Sequence, residues 1–262
     1  MSIIDQLKHK PLVWMCADRY TAKPADLYAA TGIRDAHGTS YWGSWTKDLY
    51  EPGAVLDEER LISWARRARY GDVVFADDWH RDEIEPDTFL RICEILKAEN
   101  PLYGIYSFLP RPDWYAPQHL SANPEYVRYF RDRFWDWRRD NTELFHWAEH
   151  VNAVFPGMYI PDQRPYVDED WIRTWAVQTL VAGRRYGKPI IPFIWCRQHF
   201  NGRKMKIEDL EWVTMDRWEA LLLTIREMAD GVVWWDGVKM PWSELTATPH
   251  WRLFCEIFDL KG

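Results

Sequence analysis

Four short apolar runs in this chain end the same way, each in an acid or an aromatic ring, and stretches of helical length separate them. "DVVFADDWH" (72–80) ends in Asp77, Asp78, Trp79 and His80. "LYGIYSFLP" (102–110) carries Tyr103 and Tyr106, "PIIPFIWCRQH" (189–199) carries Trp195 and Arg197, and "GVVWWDG" (231–237) ends in Trp234, Trp235 and Asp236. A short, continuous apolar run bounded by turn signals reads as a strand buried on both faces. Such strands alternating with helices call for a parallel sheet. Roughly seven can be counted, which fits an α/β fold of the (β/α) TIM-like barrel kind, distorted and with seven or eight strands, better than an open sheet. In such a barrel all strand C-termini meet at one face, where side chains from different strands converge.

The remaining elements follow from local signals. "PLVWMCA" (11–17) reads as the first strand, closed by Asp18, and a further strand is expected near Ser40–Trp45 inside a long Gly-, Tyr- and Trp-rich loop. Helices are expected over 57–70 with Asp57 as N-cap, from Pro86 to about Glu99, and over 124–148. Others are expected over 168–186 with Gly187 just past the end, 214–229 and 241–258. "VNAVFPGMYIPD" (151–162) reads as a strand and its C-terminal loop. Residues 1–262 suit a single barrel domain, and neither a glycine fingerprint after the first strand nor a Walker A loop is present, which weighs against nucleotide-binding folds.

Composition narrows the function. The chain has 18 Trp, 13 Tyr and 11 Phe; most serve burial, but such an excess also suits a site where flat rings meet the C–H faces of sugars. The net charge of −7 argues against nonspecific nucleic-acid binding. The arginine-rich stretch "RYFRDRFWDWRR" (128–139) is interleaved with Asp132 and Asp136 at helical spacing and reads as a salt-bridged amphipathic helix. The N-terminus lacks the pattern of a signal peptide, and no run approaches the roughly 20 apolar residues of a membrane span. Cys16, Cys93, Cys196 and Cys255 are scattered and read as reduced thiols. The expected setting is therefore cytoplasmic, or associated with a phage virion, with no membrane partner; the sequence leaves oligomeric state open.

The order of motifs "VVFADDW", "GIYSFLP", "VFPGMY", "KPIIPFIW" and "DGVVWWDG" resembles the hyaluronidase family of glycoside hydrolases and the bacterial and phage proteins distantly similar to it. The resemblance runs over about residues 72–237, as short motifs in order rather than continuous identity. It implies a distorted (β/α) barrel that cleaves a glycosidic bond with a glutamic acid, assisted by the substrate's N-acetyl group. It places Tyr106, Tyr159 and Trp235 along a sugar groove.

The catalytic motif departs from that family. Where the family has Asp-x-Glu on one strand face, this chain places Ala76 and Asp78, since i and i+2 share a face. Asp78 then stands as the proton donor, one methylene shorter, and Ala76 cannot orient an acetamide. The other register puts Asp77 on the active face with Phe75 and Trp79. A second acid, if used, comes from another strand end, with Asp18, Asp162 and Asp236 as candidates. Trp195 and Arg197 complete the expected substrate-binding set, Arg197 as a holder of a carboxylate or phosphate. The loop acids Asp77, Asp78 and Asp82 with His80 read as a solvated acidic loop rather than a metal site, and no cofactor is implied. Two functions remain open: a glycoside hydrolase acting on a poly- or oligosaccharide by general acid catalysis, and an inactive glycan-binding or structural relative on the same fold.

Overall fold

The computed structural model describes residues 11–16, 20–40, 55–66, 72–77, 86–99, 102–107, 109–110, 135–161, 167–199, 210–236 and 240–261. In chain order its strands are β1 (Leu12–Met15), β2 (Tyr20–Thr21), β3 (Arg34–Ser40), β4 (Val73–Asp77), β5 (Tyr103–Ile105), β6 (Gly157–Pro161), β7 (Phe193–His199), β8 (Gly231–Trp234) and β9 (Met240–Pro241). Seven of them form one sheet in the order β5-β4-β3-β1-β8-β7-β6, and neighbouring strands in it pair in parallel. β2 and β9 pair beside it as a short second sheet.

The two edges of the seven-stranded sheet meet. Tyr106, just past β5, forms a parallel bridge with Phe155, just before β6, and Ser107 N donates to Phe155 O at 2.8 Å. Ala153 N donates to Tyr103 O at 3.2 Å. The sheet thus closes into a distorted (β/α) barrel, with edge backbone groups satisfied across the seam. Gly104 permits the close approach: a side-chain carbon there would lie 2.5 Å from Ala153 O and 2.8 Å from the Phe155 ring. A second distortion lies at the top of β7, where Tyr159 pairs with Trp195 but Pro161 pairs with His199, so β7 carries extra residues past Trp195.

The helices are α1 (Leu27–Thr31), α2 (Glu58–Ala65), α3 (Pro86–Glu99), α4 (residues 135–143), α5 (Phe145–Ala148), α6 (Glu169–Arg184), α7 (Met215–Met228), α8 (Trp242–Ala247) and α9 (Pro249–Ile257). Several begin where the sequence signals place them. Asp57 accepts from Arg60 N at 3.0 Å and Asp168 from Trp171 N at 2.8 Å, each satisfying a first-turn donor that the helix itself leaves unpaired. Gly187 follows α6 with φ 67°, a left-handed conformation that glycine adopts without strain.

The structure differs from, or goes beyond, the expectations at three places. It has a strand at Arg34–Ser40, and the strand expected near Ser40–Trp45 falls, beyond Ser40, outside the described residues. The helix expected over 241–258 is two, because Pro249 forces Thr248 out of the helical region (φ −73°, ψ 147°); Thr248 then caps α9 by accepting from Trp251 N at 3.1 Å. Of the helix expected over 124–148, residues 135–148 are helical but for a turn at Leu144, and 124–134 fall outside the described set. The sequence reading also missed α1 and the β2–β9 pair.

Trp14, Trp175, Trp195, Trp218, Trp234, Trp251, Phe155, Phe193 and Phe254 are among the fully buried side chains. Of these, Trp218, Trp234, Trp251 and Phe254 pack the barrel wall against its helices, each large ring removing about 150–250 Å² from water. The four cysteines are buried.

Candidate functional site

Alternation along the strands sorts their side chains into two sets. On β8, Trp234 packs edge-on against Trp218 of α7 and against Trp251 and Phe254 of α9, with centroids 4.9–5.6 Å away. Its neighbour Trp235 turns to the other side and meets Tyr159 and Trp195. The seam shows the same sorting. Tyr103 donates its hydroxyl to His150 O at 3.0 Å, whereas Tyr106, three residues on, meets Tyr159 and Phe193.

A cluster of rings results at the C-terminal ends of β5, β6, β7 and β8. Tyr106 stacks on Tyr159 (5.9 Å between centroids, 30° between planes), and Tyr159 stacks on Trp235 (5.5 Å, 22°). Trp195 abuts both Tyr159 (5.9 Å, 72°) and Trp235 (4.9 Å, 77°) edge-on. Edge-to-face and offset contacts are the arrangements that aromatic quadrupoles favour, so the four rings hold one another in place. Tyr159 and Trp195 are buried, while Tyr106 and Trp235, the two ends of the row, are half-buried. Gly157 makes room for the row: a side-chain carbon there would lie 2.8 Å from the Tyr106 hydroxyl oxygen.

Behind the rings lies a buried polar network. Asp236 is fully buried at the end of β8; its Oδ1 accepts from Trp195 Nε1 at 3.1 Å and its Oδ2 from the Tyr20 hydroxyl at 3.5 Å. The Tyr20 oxygen in turn accepts from Trp234 Nε1 at 2.8 Å. Burial, and then the Asp236 carboxylate, hold the Tyr20 phenol well above its ordinary 10.0. The same two causes, in the same order, push the Cys196 thiol well above 9.0, so that thiol stays protonated.

The expected site residues thus divide. Tyr106, Tyr159, Trp195 and Trp235 come together, and Asp236 joins them from behind. Arg197 is buried too, but its guanidinium lies 4.2 Å over the Trp212 ring and donates to Leu210 O at 3.1 Å. Asp77 ends β4, whose ladder pairs Phe75 with Gly104 and Ala76 with Ile105; Asp77 stands one step further, at the level of Tyr106. Asp18, Asp78 and Asp162 lie outside the described residues. Tyr20, which sequence reasoning missed, carried no signal of its own, being one tyrosine on the two-residue strand β2, 216 residues before Asp236. Among the described residues, no group of three or more His, Cys, Asp or Glu is placed to hold a metal ion, and no helix is long and apolar enough to cross a membrane.

No protein-family model and no curated protein matches the sequence. Solved structures do match. Bee venom hyaluronidase is 12% identical, with a TM-score of 0.56 over 95% of this chain and 96% of that one. A second structure of that protein, in complex with a hyaluronic acid tetramer, is 10% identical with a TM-score of 0.48 over 86% of this chain and 84% of that one. A family 5 glycoside hydrolase from Prevotella bryantii, in complex with a xyloglucan tetradecasaccharide, is 8% identical with a TM-score of 0.45 over 98% and 99%. At such identities the likeness is one of fold, and there it bears out the resemblance read from five short motifs. Over nearly its whole length, this chain shares the fold of bee venom hyaluronidase, a distorted (β/α) barrel.

Proposed function

We propose that the mouth of this barrel binds a poly- or oligosaccharide and cleaves it as a glycoside hydrolase. The observation that carries this reading is the ring row Tyr106–Tyr159–Trp235, with Trp195 against it, at the strand C-termini where barrel enzymes act. Trp235 offers a face for a sugar ring, and the Tyr106 and Tyr159 hydroxyls offer hydrogen bonds to its hydroxyls. The general acid comes from the end of β4. The backbone register supports Asp77, level with Tyr106, over Asp78, which strand parity favours when the sequence alone is laid on the family motif. The acid protonates the leaving oxygen, and a carboxyl group suits that role when its surroundings disfavour the charged form.

A second reading, a glycan-binding relative without turnover, is favoured by one observation: two residues before the acid, where the family has its first acid, this chain has Phe75 (before Asp77) or Ala76 (before Asp78), so the substrate acetamide has no carboxylate partner there. The test is turnover by the purified protein on a panel of polysaccharides and aryl glycosides, with binding read in parallel. Turnover abolished by Asp77→Asn, with binding retained, is the expected result. Turnover that survives Asp77→Asn but not Asp78→Asn moves the acid to Asp78. Binding without turnover selects the second reading, and silence in both rejects the two together.

A further inference from the structure

Asp236 is the one fully buried carboxyl among the described residues, and it is built into the rear of the aromatic mouth. A buried carboxyl is costly unless hydrogen bonds satisfy it. Here the donors include two residues from distant strands, Trp195 of β7 and Tyr20 of β2. The Trp195 indole has a single polar atom, its Nε1–H, and Asp236 engages it. What Trp195 adds to the mouth is therefore a carbon edge, set at 72° to Tyr159 and 77° to Trp235. Rotating the indole would break the Nε1 bond and both edge contacts together. Tyr20 extends the arrangement: it donates to Asp236 and accepts from Trp234 Nε1, so the same carboxyl is tied to the helix-facing ring of β8.

We infer that Asp236 is a positioning residue of the mouth: its carboxyl fixes the Trp195 indole and, through it, the rings of Tyr159 and Trp235 on which a glycan rests. This rests on the glycan reading above for its ligand but not for its geometry. It separates Asp236 from the substrate-contacting role that its place at a strand end suggests.

The test uses the full chain labelled with ¹⁵N, with the Trp195, Trp234 and Trp235 indole resonances assigned by single Trp→Phe variants. Asp236→Asn, Trp195→Phe and the double variant are titrated with tetrasaccharides of chitin, cellulose, mannan and hyaluronan. In Asp236→Asn the Trp195 indole resonance is expected to shift and its N–H to exchange faster, and the Trp235 resonance shifts with it. Glycan affinity falls about tenfold, yet Asp236→Asn changes it by less than about twofold when Trp195 is already Phe, because the carboxyl acts through that indole. An equal loss in both backgrounds overturns the inference, as it would show Asp236 acting on the glycan or on the fold directly. Unmoved Trp195 and Trp235 resonances overturn it as well. If none of the tetrasaccharides binds the unaltered protein, the glycan reading is what fails for these ligands, and the resonances alone decide the positioning role. Should Asp236→Asn not fold, Trp195→Phe deletes the donor while keeping a ring, and an unshifted Trp235 resonance in that variant overturns the inference.

Discussion

Trp234 and Trp235 are adjacent on one strand and belong to two different aromatic clusters. Trp234 lies among Trp218, Trp251 and Phe254, between the barrel wall and two helices, with no exposed surface. Trp235 lies among Tyr159 and Trp195 at the mouth and is half-buried. Both clusters use edge-to-face contacts, so ring geometry does not tell them apart. Exposure does, together with position: one cluster is sealed by helices, and the other stands at the strand ends with its two outermost rings reaching the surface. The Trp234–Tyr20–Asp236–Trp195 chain of hydrogen bonds links the two. Aromatic content alone therefore points to no function, and the packing set must be subtracted before a binding site can be read.

The largest effect that would break this contrast is on stability. Trp234→Ala leaves a cavity in a sealed cluster and is expected to cost about 3–5 kcal/mol in urea unfolding. A cost well under that would show the outer cluster to be loosely packed. Trp235→Ala is expected to cost only about 1–2 kcal/mol, because the ring already meets water, while lowering retention on the glycan panel about tenfold or more. Stability loss as large as that of Trp234→Ala, with retention unchanged, would erase the distinction. The opposite end of the same strand supplies a control. Asp230 accepts from Ile190 N at 2.8 Å and pairs with the half-exposed Arg184. Asp230→Ala is expected to cost about 1–2 kcal/mol, mostly from the orphaned amide rather than the screened ion pair, with glycan binding untouched.

The smallest effect is a pH dependence confined to the outer cluster. His250 stacks on Trp212, and its Nε2 bonds Val213 O at 2.6 Å. Burial, aided by the Arg197 charge, lowers its pKa below 6.5 despite that bond. The unfolded chain then takes up this proton at a higher pH than the folded one. The stabilisation from neutral His250 is fully present above about pH 6.5 and is lost as pH falls through the lower folded value. Urea midpoints measured from neutral to mildly acidic pH should fall for the unaltered protein and fall less for His250→Phe. Equal slopes would remove His250 from the account.

Much of the fold was legible because its signals are local. Asp57, Asp168, Pro86 and Gly187 mark helix ends by backbone chemistry that depends on a few neighbouring residues. The Thr248–Pro249 break was equally local and was passed over; the proline was the available signal. β3 carried no signal of its own because the chain around it has neither alternation nor a continuous apolar run, and its pairing with β4 is set by the sheet. At the site, Tyr106, Tyr159, Trp195 and Trp235 were legible from their places at strand ends. Arg197 was legible as a position, but its stacking on Trp212 depends on a segment that arrives more than ten residues later.

The sequence by itself determined that strands and helices alternate and which side chains stand at the strand ends, since periodicity and caps act over a few residues. Only the tertiary structure decided that the seam closes between Tyr106 and Phe155, that Trp234 and Trp235 part company, and that Asp236 is sealed behind Trp195 by a tyrosine 216 residues away. Burial and hydrogen bonding between residues so far apart depend on how the whole barrel closes, and no local pattern encodes them.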